Sequence, residues 1–372
     1  MKTIGLIINP VAGIGGKVGL KGSDGSETLK KALELGAVPE SGKKALVALK
    51  KIKEVEQDVI IYTYPGEMGE DICRKAGLSC NVIGTINSGT TDAADTKKAA
   101  QELAKYDPDL ILFAGGDGTA RDVLDAIGTE VPVLGIPTGC KIHSGVYALN
   151  PRSAGSLVCD FAKDKIKNTK EAEVMDIDEE LFRQGEVRAR LYGYLKIPNE
   201  KQRVQNLKSG RGHSEEGSLD LAANYIVETM EPDTLYIIGT GSTTAYIMKK
   251  LGLPNTLLGA DLVYNNTVIA SDCTERQILD AMKDYDKVKI IVTVIGGQGY
   301  IFGRGNQQIS AEVIRRVGKE NIIIVATEDK MMSMFGRPLY VDTGDEDVNA
   351  YLRGYMRVIM GYEKYIVAKV SD

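Results

Sequence analysis

A single aspartate set among glycines, Gly115-Gly116-Asp117-Gly118-Thr119, follows the apolar run Leu110-Ile111-Leu112-Phe113. Ala120, Val123, Leu124 and Ile127 then recur at the i, i+3, i+4, i+7 spacing of one buried helix face. Strand, glycine turn and helix start together make a phosphate cradle. The first N–H groups of a helix are unpaired, its dipole is positive there, and glycine lets backbone approach an anion closely. Asp117 is the best single candidate for catalysis, and Gly115, Gly116, Gly118 and Thr119 are candidates for binding phosphate. The plain alternative is a tight strand-to-helix turn with no ligand.

Two further strand-end loops flank this one in sequence. Ile4 to Ile8 runs into Asn9-Pro10-Val11-Ala12-Gly13, which opens a glycine- and lysine-rich loop reaching Gly25. That loop fails the Walker pattern, because valine stands at position 11 and Val18 follows Lys17. It also fails G-x-G-x-x-G, because Val18 occupies the last glycine position. Loops of that length inside a compact domain are usually functional, so Asn9, Gly13 and Gly15 are candidate phosphate contacts. The third loop, Pro137-Thr138-Gly139-Cys140-Lys141-Ile142-His143-Ser144-Gly145-Val146-Tyr147, follows the strand-like Val133 to Ile136. Thr138, Gly139 and Lys141 can donate to phosphate, and His143 is either a helix-start histidine or a ligand contact. Neighbouring strand ends of a doubly wound sheet usually share one crevice.

Farther along, Leu235 to Ile238 leads into Gly239-Thr240-Gly241-Ser242-Thr243-Thr244 and a helical pattern with Ala245, Met248 and Leu251. Gly239, Gly241, Ser242 and Thr243 suit a phosphate or ribose. Leu257 to Asp261 reads as a strand end, with Asp261 a candidate for a ribose hydroxyl or a metal ion. Arg304, among glycines, could grip a phosphate bidentately or lie on the surface.

The elements that position these loops alternate strand and helix: Val59 to Tyr62, Asn81 to Ile83, a helix over Asp92 to Lys105, then the strands already named. Such alternation implies a doubly wound parallel sheet with helical crossovers. A helical stretch is expected over Ser26 to Lys53, and another over Asn150 to Lys170 as the crossing to a second region. Arg188 to Ile197 alternates strictly and reads as a half-buried antiparallel strand. Thr274-Glu275-Arg276-Gln277 and Thr343-Gly344-Asp345-Glu346 read as capping boxes. The second opens a helix whose Val348, Leu352, Tyr355 and Ile359 form one stripe, and Tyr365 to Val370 reads as a last strand.

A chain of 372 residues is too long for one ordinary core. Two domains are expected: 1–150 with a returning segment at about 345–372, and 151–344. A formal net charge of -5 argues against a general nucleic-acid binder while allowing a local basic pocket. No apolar run reaches membrane-spanning length without charges, and the five scattered cysteines form no C-x-x-C pair. A reduced, cytoplasmic protein is expected, taking small-molecule nucleotide substrates, with no nucleic-acid or membrane partner, and forming a homo-oligomer.

The order Asn9-Pro10-Val11-Ala12-Gly13, then GGDGT at 115–119, then Gly135-Ile136-Pro137-Thr138-Gly139-Cys140-Lys141-Ile142-His143-Ser144-Gly145, resembles the ATP-NAD kinase superfamily. The likeness is greatest to its branch of ATP- or polyphosphate-dependent kinases related to acetoin-catabolism protein X. The resemblance implies an α/β, NAD-kinase-like fold, with a doubly wound, mostly parallel N-terminal sheet and a second mixed α/β domain. It also implies phosphoryl transfer from ATP or polyphosphate to a hydroxyl, with Mg²⁺ or another divalent cation. In NAD kinases the acceptor is the 2′-hydroxyl of the adenosine ribose, and the GGDGT aspartate is the catalytic acid/base residue. Asp117 would then orient the acceptor hydroxyl, take its proton late, or help hold the metal. The asparagine–glutamate pair by which typical NAD kinases grip the dinucleotide is not evident. A kinase of another acceptor (sugar, polyol or lipid headgroup) and a non-catalytic nucleotide sensor therefore stay open.

Overall fold

The computed structural model describes residues 1–14, 18, 30, 32–139, 142–177, 189–200, 213–295, 298–334 and 336–372. The chain divides into two units at Leu207/Lys208. Gly15, Cys140, Lys141, Arg188, Gly296 and Gly297 of the sequence reading lie outside the described residues.

The first unit is built on a five-stranded sheet in the order β3-β2-β1-β4-β5, every pair parallel. Its strands are β1 (Lys2–Ile8), β2 (Val59–Thr63), β3 (Asn81–Val82), β4 (Leu110–Gly115) and β5 (Val133–Pro137). The crossovers are α1 (Ser41–Ile52), α2 (Glu70–Ala76), α3 (Ala93–Ala104) and α4 (Asp117–Ile127). All of β4 and β5 is buried, as a strand covered on both faces must be. Asp92 caps α3 by accepting from Ala94 and Asp95 N–H, and the Asp95 side chain answers its backbone N–H. Strand order reverses between β1 and β4, which makes their carboxyl ends the topological switch point. The doubly wound reading of this half is correct.

The expected domain boundary near 150 moves. Helix α5 (Pro151–Ala162), capped by Asn150, stays with the first unit because it is buried against α1. A Cβ on Gly155 would lie 2.4 Å from the Ala48 carbonyl, so only glycine permits this approach. The hairpin β6 (Thr169–Ile177) and β7 (Ala189–Pro198) also belongs here, antiparallel as its alternation implies. Leu195 and Ile197 are buried while Tyr192 and Tyr194 are exposed. A register shift between Val174 and Met175 breaks the pattern, and Leu191 is exposed instead of buried. The stretch expected to be one helix over Ser26 to Lys53 is broken: among its described residues 30 and 32–34 are helical, 35–40 are not, and Ser41–Ile52 form α1.

The second unit holds a nine-stranded sheet, β10-β9-β8-β11-β13-β15-β16-β14-β12. The strands are β8 (Leu235–Ile238), β9 (Asp261–Tyr264), β10 (Thr267–Ala270), β11 (Val288–Thr293), β12 (Tyr300–Phe302), β13 (Ile322–Val325), β14 (Leu339–Val341), β15 (Gly354–Gly361) and β16 (Lys364–Ser371). Between and before them run α6 (His213–Thr229), α7 (Ser242–Lys250), α8 (Glu275–Ala281), α9 (Ala311–Val317), α10 (Glu328–Ser333) and α11 (Glu346–Leu352). Strands β8, β11, β13 and β15 are mutually parallel, and β9 and β16 run antiparallel to their neighbours β8 and β15.

Three expectations change in this unit. Residues 345–372 do not return to the first sheet, because β15 pairs with β13 through Ile324↔Val358 and Val325↔Ile359. The helical stripe through Ile359 ends at Leu352: Gly354 takes φ +111°, and Tyr355 lies on an exposed strand position. The cap of α11 is Asp345, which accepts from Val348 N–H at 2.9 Å, rather than Thr343. The Thr274–Gln277 box, by contrast, caps α8 as read.

Candidate functional site

The loops after β1, β4 and β5 are held together in the first unit by backbone contacts that only small residues allow. Asn9 N–H donates to the Ala114 carbonyl at 3.0 Å, and its Nδ2 donates to Thr119 Oγ1 at 3.0 Å. Asn9 is therefore a strut between the end of β1 and the first turn of α4. Gly13 has φ +79°, and a Cβ there would lie 2.2 Å from the Thr138 carbonyl oxygen. Thr138 and Gly139 N–H both donate to the Gly115 carbonyl, at 3.0 and 3.3 Å. A Cβ on Gly139 would sit 2.9 Å from Gly116 Cα, and one on Gly115 would strike the Thr119 side chain at 2.3 Å. The glycines thus serve close packing between loops, which brings Asn9, Gly13, Gly115, Gly116, Thr119, Thr138 and Gly139 to one place.

Gly116, the N-cap of α4, has no side chain to cap the first N–H groups. Those donors and the positive helix end are left for a ligand, as a phosphate cradle requires. Thr138 is 1% exposed, and its Oγ1 finds no hydrogen-bond partner among the described residues. A buried hydroxyl in that condition is costly unless something pairs with it.

Asp117 is the first residue of α4. Its Oδ2 accepts from His143 N–H at 2.8 Å and its Oδ1 from Ser144 N–H at 3.0 Å. The His143 Nδ1 lies 3.4 Å from the same Oδ2. The Tyr147 hydroxyl donates to the Gly116 carbonyl, and Gly135 leaves room for that ring: a Cβ there would lie 2.3 Å from it. Ser144 is fully buried and its Oγ accepts from Met175 N–H at 2.9 Å, which fixes the loop to β6. Ser144 and Tyr147 were passed over as site residues in the sequence. Their only signal there is membership of the run after Thr138.

The second unit places its candidates differently. Gly239 ends β8 and Gly241, at φ +122°, opens α7. Ser242 is exposed, while Thr243 is buried and its Oγ1 accepts from Lys330 Nζ at 2.8 Å. Lys330 also reaches Thr293 Oγ1 at 3.4 Å, so the carboxyl ends of β8, β11 and β13 share one lysine. No sequence spacing announces this, since Lys330 and Thr243 are 87 residues apart. Asp261 lies at a strand start rather than a strand end. It begins β9, is fully buried, and accepts from Asn255 Nδ2, Thr256 N–H and Asp272 N–H at 3.1, 2.6 and 3.0 Å. Its carboxylate holds two loops together through these three bonds. Arg304 is likewise buried, over the Tyr300 ring at 4.9 Å, and not a surface arginine.

The first unit is thus a doubly wound α/β fold with an uncapped helix start and an aspartate at its switch point. The family follows from comparison: the ATP-NAD kinase N-terminal domain matches residues 4–166, and the ATP-NAD kinase C-terminal domain matches 232–370. The chain belongs to the ATP-NAD kinase superfamily. Among curated proteins none matches it significantly. Two solved structures can be set beside it. A candidate diacylglycerol kinase from Bacillus anthracis str. Sterne is 18% identical over 48% of this chain and 43% of its own, at TM-score 0.22. A UDP-N-acetylglucosamine 2-epimerase is 11% identical over 94% of this chain and 81% of its own, at TM-score 0.25. The chain thus spans less than half the length of that kinase relative, and TM-scores this low do not establish a shared fold. No described helix is long and apolar enough to cross a membrane.

Proposed function

We propose that this chain transfers a phosphoryl group from ATP, or from polyphosphate, to the 2′-hydroxyl of NAD, giving NADP. The observation that carries the reading is the seating of Asp117 at the uncapped start of α4, between the packed loops after β1 and β5. Phosphoryl transfer is mostly positioning and charge stabilisation, which glycine loops and helix N–H groups supply. Thr138 Oγ1 and the first N–H groups of α4 bind phosphate oxygens, and Asp117 aligns the acceptor hydroxyl.

Among the described residues no three His, Cys, Asp or Glu side chains converge as metal ligands. A Mg²⁺ ion bound together with the donor's phosphates would contribute charge neutralisation. A second acceptor class, a sugar or polyol, is favoured by one feature: the dinucleotide-gripping asparagine–glutamate pair is not evident in the sequence.

The test is incubation of purified protein with NAD, ATP and Mg²⁺, with NADP read enzymatically, beside a polyol panel read by ADP release. NADP formation supports the first reading. ADP release with a polyol and none with NAD moves the assignment to the second.

A further inference from the structure

Transfer at Asp117 leaves the grip on the rest of the acceptor unassigned, and the following inference rests on that proposed transfer. The loop after β5 is joined to the hairpin. Gly145 N–H donates to the Glu173 carbonyl at 2.8 Å, and Met175 N–H donates to Ser144 Oγ at 2.9 Å, so residues 144 and 145 run along β6. The N–H of the same Ser144 donates to Asp117 Oδ1 at 3.0 Å. One residue therefore touches both the aspartate and the strand that carries Glu173.

Glu173 lies on the outer face of the hairpin, since its neighbours Ala172 and Val174 are buried and strand side chains alternate. Its partner in register is the exposed Tyr194. On either side of Tyr194, Leu195 is buried and Gly193 faces α4, with its Cβ position 2.7 Å from Leu124 Cδ2. Residues directly opposite in an antiparallel pair have Cβ atoms about 5 Å apart, so ring and carboxylate share one patch. A Glu173 carboxylate oxygen comes within 3.2 Å of where a Gly145 Cβ would stand, so glycine leaves room for it beside the loop. The Glu173 side chain is half-buried and makes no hydrogen bond or ion pair with the described residues. A carboxylate partly withdrawn from water is costly unless something donates to it.

We propose that Glu173 and Tyr194 form the acceptor subsite and set its specificity. The Glu173 carboxylate accepts from a hydroxyl next to the one that Asp117 aligns, and the Tyr194 ring covers a flat face of the same molecule. An ionised carboxylate only accepts hydrogen bonds, which suits a hydroxyl donor. An aromatic ring packs on a sugar ring or a base. The substrate class is a ribose or cyclic polyol with neighbouring hydroxyls, not a monohydric alcohol. A phosphate on that neighbouring hydroxyl is repelled by the same charge. Both residues position the acceptor and leave the reacting atoms to Asp117.

The test is steady-state kinetics with ATP as donor and two acceptor pairs. NAD is compared with its analogue lacking the adenosine 3′-hydroxyl, and myo-inositol with cyclohexanol. In Glu173→Ala the KM of the hydroxyl-rich acceptor should rise roughly 10–100-fold, and in Tyr194→Ala roughly 3–10-fold. In both, kcat and the KM for ATP should stay within about twofold. Glu171→Ala, on the exposed position two residues before Glu173, should match wild type. The acceptor lacking the second hydroxyl should be poor with wild type and no poorer with Glu173→Ala, because the two changes remove one contact. An unchanged acceptor KM in both variants, or an equal loss with and without the second hydroxyl, overturns the subsite and leaves transfer at Asp117 standing. No turnover by the wild-type chain with any of these acceptors overturns the phosphotransferase reading and the subsite with it.

Discussion

Replacing Gly13 by alanine should separate the loops on which the site depends. Two costs arise. At φ +79° an L-residue pays the left-handed penalty, about 1–2 kcal/mol. The new methyl would also stand 2.2 Å from the Thr138 carbonyl oxygen, which is backbone and cannot swing aside. Overpacking of that kind adds about 1–3 kcal/mol, for a total of about 2–5. Gly77 supplies the control, because it has φ +70° with nothing within 4 Å of its Cβ position. Gly77→Ala should therefore show the left-handed cost alone, about 1–2 kcal/mol. Calorimetric melting of the two variants isolates the clash as their difference. A shift of the Thr138 loop by about 1 Å would lower kcat/KM roughly 10²-fold in Gly13→Ala, with Gly77→Ala near wild type. Equal melting losses and equal activity in the two variants would refute the packing argument.

Two more outcomes are expected. Thr138→Val removes a buried hydroxyl that has no partner among the described residues, so stability should hold or rise by about 1 kcal/mol while donor affinity drops about tenfold; unchanged nucleotide binding contradicts the role given to Thr138. The Val348 N–H and then Arg315 hold the Asp345 carboxyl below the usual carboxylate range. Its stabilisation is thus fully present above that range and is lost as pH falls through the lowered folded value. Asp345→Ala should cost about 0.5–2 kcal/mol at pH 7 and little in strong acid, in paired denaturation curves; a cost independent of pH contradicts the capping assignment.

The sequence made the first unit largely readable because each of its signals is local. A buried strand ending in glycine, followed by helical periodicity, describes β4 and α4 without knowledge of the rest of the chain. The approach of Gly13 to Thr138, and of Gly139 to Gly116, was implied only by the rule that neighbouring strand ends share a crevice. What failed was non-local. Asp261 looks free in sequence because its partners Asn255 and Asp272 declare nothing until the loops fold around it. Lys330 is invisible beside Thr243 for the same reason. Val348, Leu352, Tyr355 and Ile359 have helical spacing, yet the left-handed Gly354 ends the helix and β13 recruits the remainder as a strand. The helix at Asn150 was legible, but its burial against α1 turned on Gly155, a residue whose purpose shows only against Ala48.

The central claim, that phosphoryl transfer takes place at Asp117, is met most directly by single-turnover transfer from γ-labelled ATP in Asp117→Asn beside wild type. The exchange removes the charge and keeps one acceptor oxygen for the His143 and Ser144 N–H groups, while the amide NH2 faces the other donor. A rate reduced by roughly 10²–10⁴, with nucleotide affinity close to wild type and the fold retained at the assay temperature, is the predicted result. Transfer at the wild-type rate would remove Asp117 from the chemistry and contradict the account.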